Sequence, residues 1–390
     1  HIPPTRQNIL NVFEENLIKQ VKPGDIVVFH FSGHGSILRD PGPVTKYCQN
    51  SQFDELNSTL VVADEIKNNS SPYIMGRTLS LLRLALNTDN VTMVIDSCFS
   101  GGLSSADYQM RFATCNTLAP SPEEIDYQKK WIDRLGLSEE EFGRQRCNGI
   151  NKGVLIAASK AGQETAEGEF NGFHAGTLTY LLTQYLWQHN DALGTVINSI
   201  KRKIPINGQV PSASGHESQP AYFIDNTSVP PSDAVITSVK GENATLWLGG
   251  IEHTSLVAFQ AGAKFAVINE KGQTSGKLEL VSRNNGLVAE AKLIEGSSSI
   301  LKPGTLLQEI SRVIPADLHL SIGVDPSLGD VQVASQLLSK INRVKVIPIQ
   351  QGRQYPGAEY ILGKFTDNDY ETFSKQAVKK LPAIGSIGLY

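Results

Sequence analysis

Two short apolar runs in the first third of the chain, residues 26–31 and 91–95, organise the rest of it. Continuous apolar runs of this length, bounded by turn residues, are typical of strands buried on both faces of a sheet. The first leads into Ser-Gly-His-Gly at 32–35, and the second leads into Asp-Ser-Cys at 96–98. Because open α/β sheets bind ligands outside the carboxyl ends of their strands, we expect the two ends to form one functional edge.

Similar patterns predict an α/β domain over residues 1–225, with a mostly parallel sheet flanked by helices. Two polar stretches interrupt it. The polar pattern of 36–59 indicates a long loop. The polar pattern of 103–150 indicates an irregular linker insertion with a short solvated helix near 139–141. Apolar residues at helical spacing and further apolar runs predict the remaining elements. These are helices at 6–20, 74–86, a segment ending near 187, and 193–203, with strands at 153–158 and 219–224.

The pattern changes after a proline-containing linker at 227–233. Short alternating strands separated by glycine turns predict a small β-rich barrel or sandwich over 226–310. Residues 311–390 predict a small α/β module with a helix at 331–341. Neither part contains a Cys/His pair, a metal-ligand spacing or a phosphate loop, so we expect it to bind, regulate or scaffold.

Composition excludes several classes of protein. Hydrophobic residues make up 40% of the 390 residues, the net charge is −4, and no apolar run approaches the ~20 residues of a membrane span. We therefore expect neither a nucleic-acid surface nor a membrane partner. Four cysteines in so long a chain do not indicate a disulfide framework, so the sequence favours a reducing, cytoplasmic setting with Cys98 as a free thiol.

The candidate chemistry lies in His34 and Cys98, one at the end of each predicted strand. A free thiol titrates near ~8.5, and a neighbouring imidazole both raises its reactive fraction and protonates a leaving amine. The N–H groups of Gly35 and Cys98 are candidates for an oxyanion hole. An isolated cysteine after a buried strand is often a core residue. Two strand-end loops that each carry half of a Cys/His pair favour the catalytic interpretation.

The two motifs, Ser-Gly-His-Gly at 32–35 and Asp-Ser-Cys at 96–98, resemble the paired signatures of the caspase-like cysteine peptidases. The aspartate two residues before the cysteine makes the match closer to the metacaspases and their bacterial relatives, the orthocaspases. The resemblance covers about residues 5–225 and implies a cysteine endopeptidase with a catalytic Cys-His dyad. It also implies a preceding β-α-β portion that this sequence lacks, so we expect a complementary N-terminal fragment as a partner.

Asp96 indicates the substrate. A carboxylate beside the nucleophile repels an acidic side chain and pairs with a basic one, arginine above all because of its bidentate fork. The resemblance implies that Asp96 and Ser32 line the first specificity pocket. We therefore expect peptide or protein substrates that are cleaved after Arg, then Lys, and not after Asp. The open alternative is that Asp96 caps a local turn.

The resemblance further implies that the linker insertion joins a larger and a smaller catalytic part and is cut by the enzyme itself after a basic residue. The alternative is a surface insertion with ordinary charges. The autoprocessing candidates are Lys129, Lys130, Arg134, Arg144 and Arg146.

An acidic segment near Asp54 and Asp64 partly resembles the calcium-binding region of metacaspases. Acidic loops are also commonly just solvated, and the other carboxylates of that region have no clear counterparts in this chain. We therefore expect that no cofactor is required, and we keep Asp54 and Asp64 as weak calcium candidates.

Two other functions stay open. The first is a caspase-like scaffold or regulatory protein that has lost activity, against which the intact His34 and Cys98 argue. The second is a different acyl-transfer hydrolase that uses the same dyad, whereas the predicted pocket at Asp96 argues for peptides.

Overall fold

The computed structural model describes most of the chain. It divides into two compact units, His1–Val313 and Ile314–Tyr390. Among the described residues, no helix has both the length and the apolar character needed to cross a membrane. The described residues are 2–47, 56–65, 70–98, 119–150, 152–160, 163–204, 209–224, 230–314, 318–347, 358–374 and 381–389.

Residues 2–224 form a mixed α/β structure, as expected. In chain order its helices and strands are α1 (Arg6–Val12), β1 (Val27–Ser32), β2 (Gly35–Arg39), β3 (Leu56–Leu60), β4 (Ser70–Ser71), β5 (Ile74–Met75), α2 (Gly76–Ala85), β6 (Val91–Asp96), β7 (Ala119–Pro120), α3 (Pro122–Arg134), α4 (Glu139–Cys147), β8 (Val154–Ala157), β9 (Glu167–Glu169), β10 (His174–Gly176), α5 (Thr177–Gln188), α6 (Leu193–Lys203) and β11 (Ser212–Ser214). A π-helix over Phe13–Ile18 directly continues α1.

The central sheet contains four described strands in the order β1-β6-β8-β11. The first three are parallel, and β11 is antiparallel to β8. β6 is buried at every position, as expected for a strand covered on both faces. β1 and β6 pair in continuous register up to Ser32 and Asp96. The two apolar runs are therefore parallel neighbours whose ends lie side by side.

Alternate residues of the sheet face two different hydrophobic clusters. Met93, Ile95 and Leu155 pack with α1, α2 and α3 on one side. Val94 and Ile156 pack with α5 and α6 on the other side. This alternation follows from the two-residue period of a strand. Helices thus cover both faces of the sheet, and the loops at its carboxyl edge remain accessible for chemistry.

The predicted loop over 36–59 is wrong in part. β2 and β3 pair as antiparallel strands, while residues 48–55 between them lie outside the described residues. Asn57 of β3 is buried, and its side-chain oxygen accepts the N–H of Arg77 at 3.0 Å. Polar strand residues that are satisfied by internal partners do not produce the apolar pattern from which a strand is predicted.

The predicted irregular insertion over 103–150 is also wrong where the structure describes it. Residues 119–150 contain α3 and α4 rather than one short solvated helix. Trp131, Ile132 and Phe142 from these helices are buried in the cluster beside α1 and α2. The buried face of α3 also includes polar side chains, which hides its helical pattern in the sequence.

The last strand of the sheet lies elsewhere than predicted. β11 occupies this position, whereas residues 219–224 are irregular apart from a bridge between Ala192 and Pro220. Proline lacks the N–H that a strand inside a sheet donates. Ala221 of this segment is nevertheless buried, and its carbonyl accepts the hydroxyl of Thr92 at 2.8 Å.

Residues 234–311 form a closed β-barrel, so the barrel form of the predicted β-rich part is correct. In chain order its described strands are β12 (Ala234–Lys240), β13 (Asn243–Trp247), β14 (Lys264–Ile268), β15 (Thr274–Asn285), β16 (Val288–Glu295) and β17 (Leu306–Ser311). They close in the order β12-β13-β16-β15-β14-β17. Interior residues such as Phe265 and Leu278 join the same hydrophobic cluster as α5 and α6, so the barrel packs directly on the α/β part.

The second unit has a small α/β fold. Its described strands lie in one sheet in which the first strand is parallel to two neighbours and the last strand is antiparallel. In chain order its elements are β18 (Leu320–Val324), α7 (Val331–Leu338), β19 (Val344–Ile347), β20 (Tyr360–Lys364), α8 (Asp367–Ser374) and β21 (Ile387–Leu389).

The cysteines follow the expectation only in part. Cys98 is a free thiol, but Cys147 at the end of α4 is disulfide-bonded. The expectation was a free Cys98 and no disulfide framework, and it did not include the bond at Cys147. Sequence spacing does not show which cysteines the fold brings within bonding distance, because pairing depends on the distance and direction of their Cβ atoms.

A buried carboxylate, Glu124 on α3, fastens the start of the chain to the rest of the unit. Its Oε2 pairs with the Arg6 guanidinium at 2.7 Å. Its Oε1 accepts the N–H of Met75 at 2.9 Å and the hydroxyl of Thr78. A buried ion pair with both oxygens satisfied is tolerated, but the loss of one partner leaves an uncompensated buried charge.

We expect Glu124→Gln to destabilise the first unit by about 3–5 kcal/mol, because Arg6 would remain buried without its counter-charge. The control is Glu15→Gln, which removes an exposed ion pair with Lys19 and should cost less than about 1 kcal/mol. Urea unfolding followed by tryptophan fluorescence measures both changes. Equal unfolding midpoints for the two variants would contradict the anchoring role of Glu124.

Candidate active site

The loops that follow β1 and β6 touch each other at the carboxyl edge of the sheet. The N–H of Gly33 donates to the carbonyl of Asp96 at 3.1 Å. Gly35 lies directly against Cys98, since a Cβ atom at Gly35 would overlap the carbonyl oxygen of Cys98 and lie 3.0 Å from Ser97 Oγ. Glycine at position 35 permits this close backbone approach. The structure therefore brings the histidine loop and the cysteine loop together.

Cys98 is partly buried, and its sulfur has a partner to which the sequence assigned no role. The N–H of Thr165 lies 3.4 Å from Sγ, and the Thr165 hydroxyl lies 3.6 Å from it. His34 is exposed on the neighbouring loop. Within the described part of the chain, the sulfur thus hydrogen-bonds with Thr165 rather than with His34. This arrangement does not exclude a dyad, because catalytic hydrogen bonds are often long or poorly aligned without substrate.

Asp96 and Ser32 both lie next to the start of α5. Asp96 is 3% exposed, and its Oδ2 accepts the N–H of Thr179 at 2.7 Å. A Cβ atom at Gly176 would overlap the Asp96 carboxylate and lie 3.1 Å from Ser32 Oγ. The carboxylate therefore caps the N-terminus of a helix distant in sequence rather than a local turn. The helix dipole also favours a negative charge at this position.

A histidine outside the predicted site, His30, lies beside this carboxylate. It precedes Ser32 by two residues on the same face of β1, and its Nε2 is 3.0 Å from the Thr179 hydroxyl. Burial lowers the pKa of His30, and Asp96 acts in the opposite direction. Burial raises the pKa of Asp96, which Thr179 and His30 partly offset. A cation brought to Asp96 would relieve the cost of its buried charge.

The five basic residues proposed for autoprocessing all lie within α3 and α4. Lys129, Lys130, Arg134 and Arg144 are exposed. Arg146 is 4% exposed and forms a buried ion pair at 2.8 Å with an aspartate that follows β2. Arg146 would therefore have to leave this buried ion pair before cleavage, whereas the side chains of the other four are accessible.

The calcium candidates are placed differently. Asp54 lies outside the described residues. The Oδ2 of Asp64 accepts the N–H of Arg6 at 2.6 Å, so this carboxylate holds the start of α1. In the described ranges, no group of three or more His, Cys, Asp or Glu side chains is arranged to hold a metal ion.

Comparison with known proteins agrees with the motifs. The family model described as "Metacaspase, peptidase C14 domain" matches residues 1–106, which include both motif loops. Metacaspase-1 of Lodderomyces elongisporus is 23% identical over 209 residues, covering 45% of this chain and 44% of that protein. Metacaspase-1 of Schizosaccharomyces pombe is 24% identical over 218 residues, covering 48% and 47%. Metacaspase-2 of Trypanosoma brucei brucei is 34% identical over 102 residues, covering 26% of each chain.

These matches confirm the predicted relationship to the metacaspases, and the family model locates it in residues 1–106. The chain spans less than half the length of these curated relatives. The matched family model ends before the linker helices, the barrel and the second unit.

The contact between the motif loops can be tested with two glycines of one motif. We expect Gly35→Ala to destabilise the first unit by about 1–3 kcal/mol and to change the alkylation rate of Cys98, because the added Cβ meets the backbone of Cys98. Gly33→Ala is the matched control, since its Cβ would meet only the ring of Phe31 at 3.1 Å. Thermal unfolding and iodoacetamide labelling measure both effects. Indistinguishable variants would contradict the close approach.

Proposed function

We propose that this protein is a cysteine endopeptidase in which Cys98 is the nucleophile and His34 is the general base. The observation that carries the proposal is the contact between Gly35 and Cys98, because it joins the two motif loops at one edge of the sheet. The relationship to the metacaspases supports the same class of reaction.

In the proposed reaction, His34 accepts the Cys98 proton and the thiolate attacks the carbonyl carbon of the scissile peptide. The carbonyl electron pair moves to oxygen, which would bind the N–H groups of Gly35 and Cys98. One such donor typically contributes about 2.7–4 kcal/mol to the transition state. His34 then protonates the leaving amine. Water hydrolyses the resulting thioester, which releases the acid and restores the thiol.

We place the first specificity pocket beside Asp96 and Ser32 and propose cleavage after Arg, then Lys. A carboxylate has about four acceptor sites, so the hydrogen bond from Thr179 leaves capacity for a guanidinium. Burial that raises the pKa of Asp96 also means that a cationic partner gains more there than it would in water. The exposed Ser32 marks the side from which such a partner would enter.

A catalytically silent scaffold is the second candidate. The observation that favours it is the exposed position of His34, which makes no hydrogen bond to the Cys98 sulfur in the described part of the chain. A scaffold would leave the wild-type protein without hydrolytic activity on any of the peptides described below, whatever their terminal residue.

The outer edge of β1 is our proposed docking site for the complementary N-terminal fragment. No described strand pairs with this edge. Val28 is 41% and Ile26 is 44% exposed beside it. An apolar groove of about 260 Å³ lies between α1 and Phe29 of β1. Unpaired strand edges with apolar neighbours are templates for the addition of a further strand.

Autoprocessing after an exposed basic residue of α3 or α4, and calcium binding near Asp54 and Asp64, are secondary parts of the proposal. N-terminal sequencing of any fragments formed during the assays tests the first. Repeating the assays with a chelator tests the second.

We expect Cys98→Ala to abolish hydrolysis of an Arg-terminated fluorogenic peptide and His34→Ala to lower kcat about 10²–10⁴-fold, because the nucleophile or its base is removed. His174→Ala is the control, since His174 is an exposed histidine on β10 and should leave kcat unchanged. Activity that persists in Cys98→Ala would refute the nucleophile. An inactive wild type would support the scaffold.

The pocket is tested with Asp96→Asn and two peptides that end in Arg or in its neutral isostere citrulline. The wild type should prefer Arg strongly, and the variant should lose at least about tenfold of that preference, because the charge-assisted pair is lost. Asn retains an oxygen that can accept the N–H of Thr179, which preserves the cap on α5. An unchanged Arg/citrulline ratio, or a preference for Asp-terminated peptides, would refute the pocket.

A further inference from the structure

We propose that Thr165 is a thiolate-stabilising residue for Cys98, and that Gln209 positions it through the backbone of Ala166. The inference deepens the proposed function and rests on it, because it specifies how the nucleophile is kept reactive. Neither Thr165 nor Gln209 belongs to the two motif loops.

Thr165 contacts the sulfur atom of Cys98 directly. Thr165 presents two hydrogen-bonding groups to Sγ of Cys98, its backbone N–H at 3.4 Å and its hydroxyl at 3.6 Å. A thiolate has no hydrogen to donate, so the Thr165 hydroxyl must be the donor once Cys98 is ionised. Donors aimed at the charged form favour that form. Thr165 therefore favours the reactive state of the nucleophile.

A buried amide, that of Gln209, supports the backbone next to Thr165. Gln209 is 5% exposed. Its Oε1 accepts the N–H of Ala166 at 3.1 Å, and its Nε2 donates to the carbonyl of Ala158 at 3.2 Å. Ala158 directly follows β8, whose end is fixed in the sheet. One buried amide thus ties the backbone next to Thr165 to the rigid sheet.

The same peptide segment is also bonded on its other side, by the start of α5. The carbonyl of Ala166 accepts both the N–H of Thr177 at 3.1 Å and its hydroxyl at 2.9 Å. Thr177 is the first residue of α5, the helix that Asp96 caps. The backbone beside Thr165 is therefore held from two directions, and one of them leads to the proposed specificity carboxylate.

The bonds from Gln209 and Thr177 to Ala166 hold the backbone beside Thr165 in place before the thiolate forms. Donors held by buried partners do not have to be ordered when the thiolate forms, which is how preorganised donors stabilise charge. If Sγ of Cys98 were the only contact holding the Thr165 segment, the Thr165 donors would lose their alignment with Sγ whenever the thiol was protonated. Thr165 would touch the reacting atom directly, whereas Gln209 acts through Ala166 and is a positioning residue.

The test is the pH dependence of iodoacetamide labelling of Cys98 in the full chain, read by peptide mass spectrometry. Thr165→Val removes the hydroxyl donor but keeps the N–H, and it should move the labelling midpoint upward by about half to one pH unit, a roughly 3–10-fold loss of thiolate at neutral pH. Gln209→Leu should move the midpoint in the same direction. Thr165→Ser keeps the hydroxyl and should restore the wild-type midpoint.

Thr183→Val is the control, because it removes an exposed hydroxyl of α5 that donates to the Thr179 carbonyl and does not contact the sulfur. An unchanged midpoint in a folded Thr165→Val protein would overturn the inference. Should Gln209→Leu fail to fold, the Thr165 pair still decides the result. Labelling requires no peptide hydrolysis, so a shifted midpoint in an inactive protein would refute the proposed function alone, and an unshifted midpoint in an active protein would refute only this inference.

Discussion

The in-register parallel pairing of β1 and β6 is the constraint on which the candidate site depends. Ser32 and Asp96 are partners at the end of this pairing, so the following residues leave the sheet from adjacent points. A shift by one residue would turn every side chain of one strand to the opposite face. The complete burial of β6 resists such a shift, because its alternate residues fill two separate clusters.

Helix α5 connects this edge to the rest of the first unit. Its first turn donates to Asp96 through Thr179 and contacts the segment of Thr165 through Thr177. Further along the helix, the hydroxyl of Tyr180 donates to the Ile251 carbonyl at 3.1 Å. The Gln184 amide donates to the carbonyl of the residue before Ile251, in the loop that follows β13. The barrel therefore packs against the same helix whose start forms part of the site. This shared helix gives the barrel a physical connection to the proposed pocket.

Buried ion pairs join segments of the fold whose packing cannot be predicted from the pattern of hydrophobic residues. Arg6 with Glu124 and Arg146 with Asp40 are both desolvated ion pairs, and each joins segments more than a hundred residues apart. In the sequence these residues are indistinguishable from the charges of a solvated surface. Glu124 and Arg146 lie in the linker insertion, so these ion pairs connect its helices α3 and α4 to the rest of the first unit.

The sequence alone predicted, from its order of apolar runs and turn residues, that two strands end in a histidine loop and a cysteine loop. This was possible because strand period and turn chemistry are local properties. The relationship to the metacaspases was visible in the same few residues. The cap that Asp96 forms on α5 and the contact of Thr165 with Cys98 were decided only by tertiary structure. Cys98 and Thr165 are 67 positions apart along the chain, and Asp96 and Thr179 are 83 positions apart. Hydrogen bonds over such separations depend on how whole elements pack, and no local pattern encodes that packing.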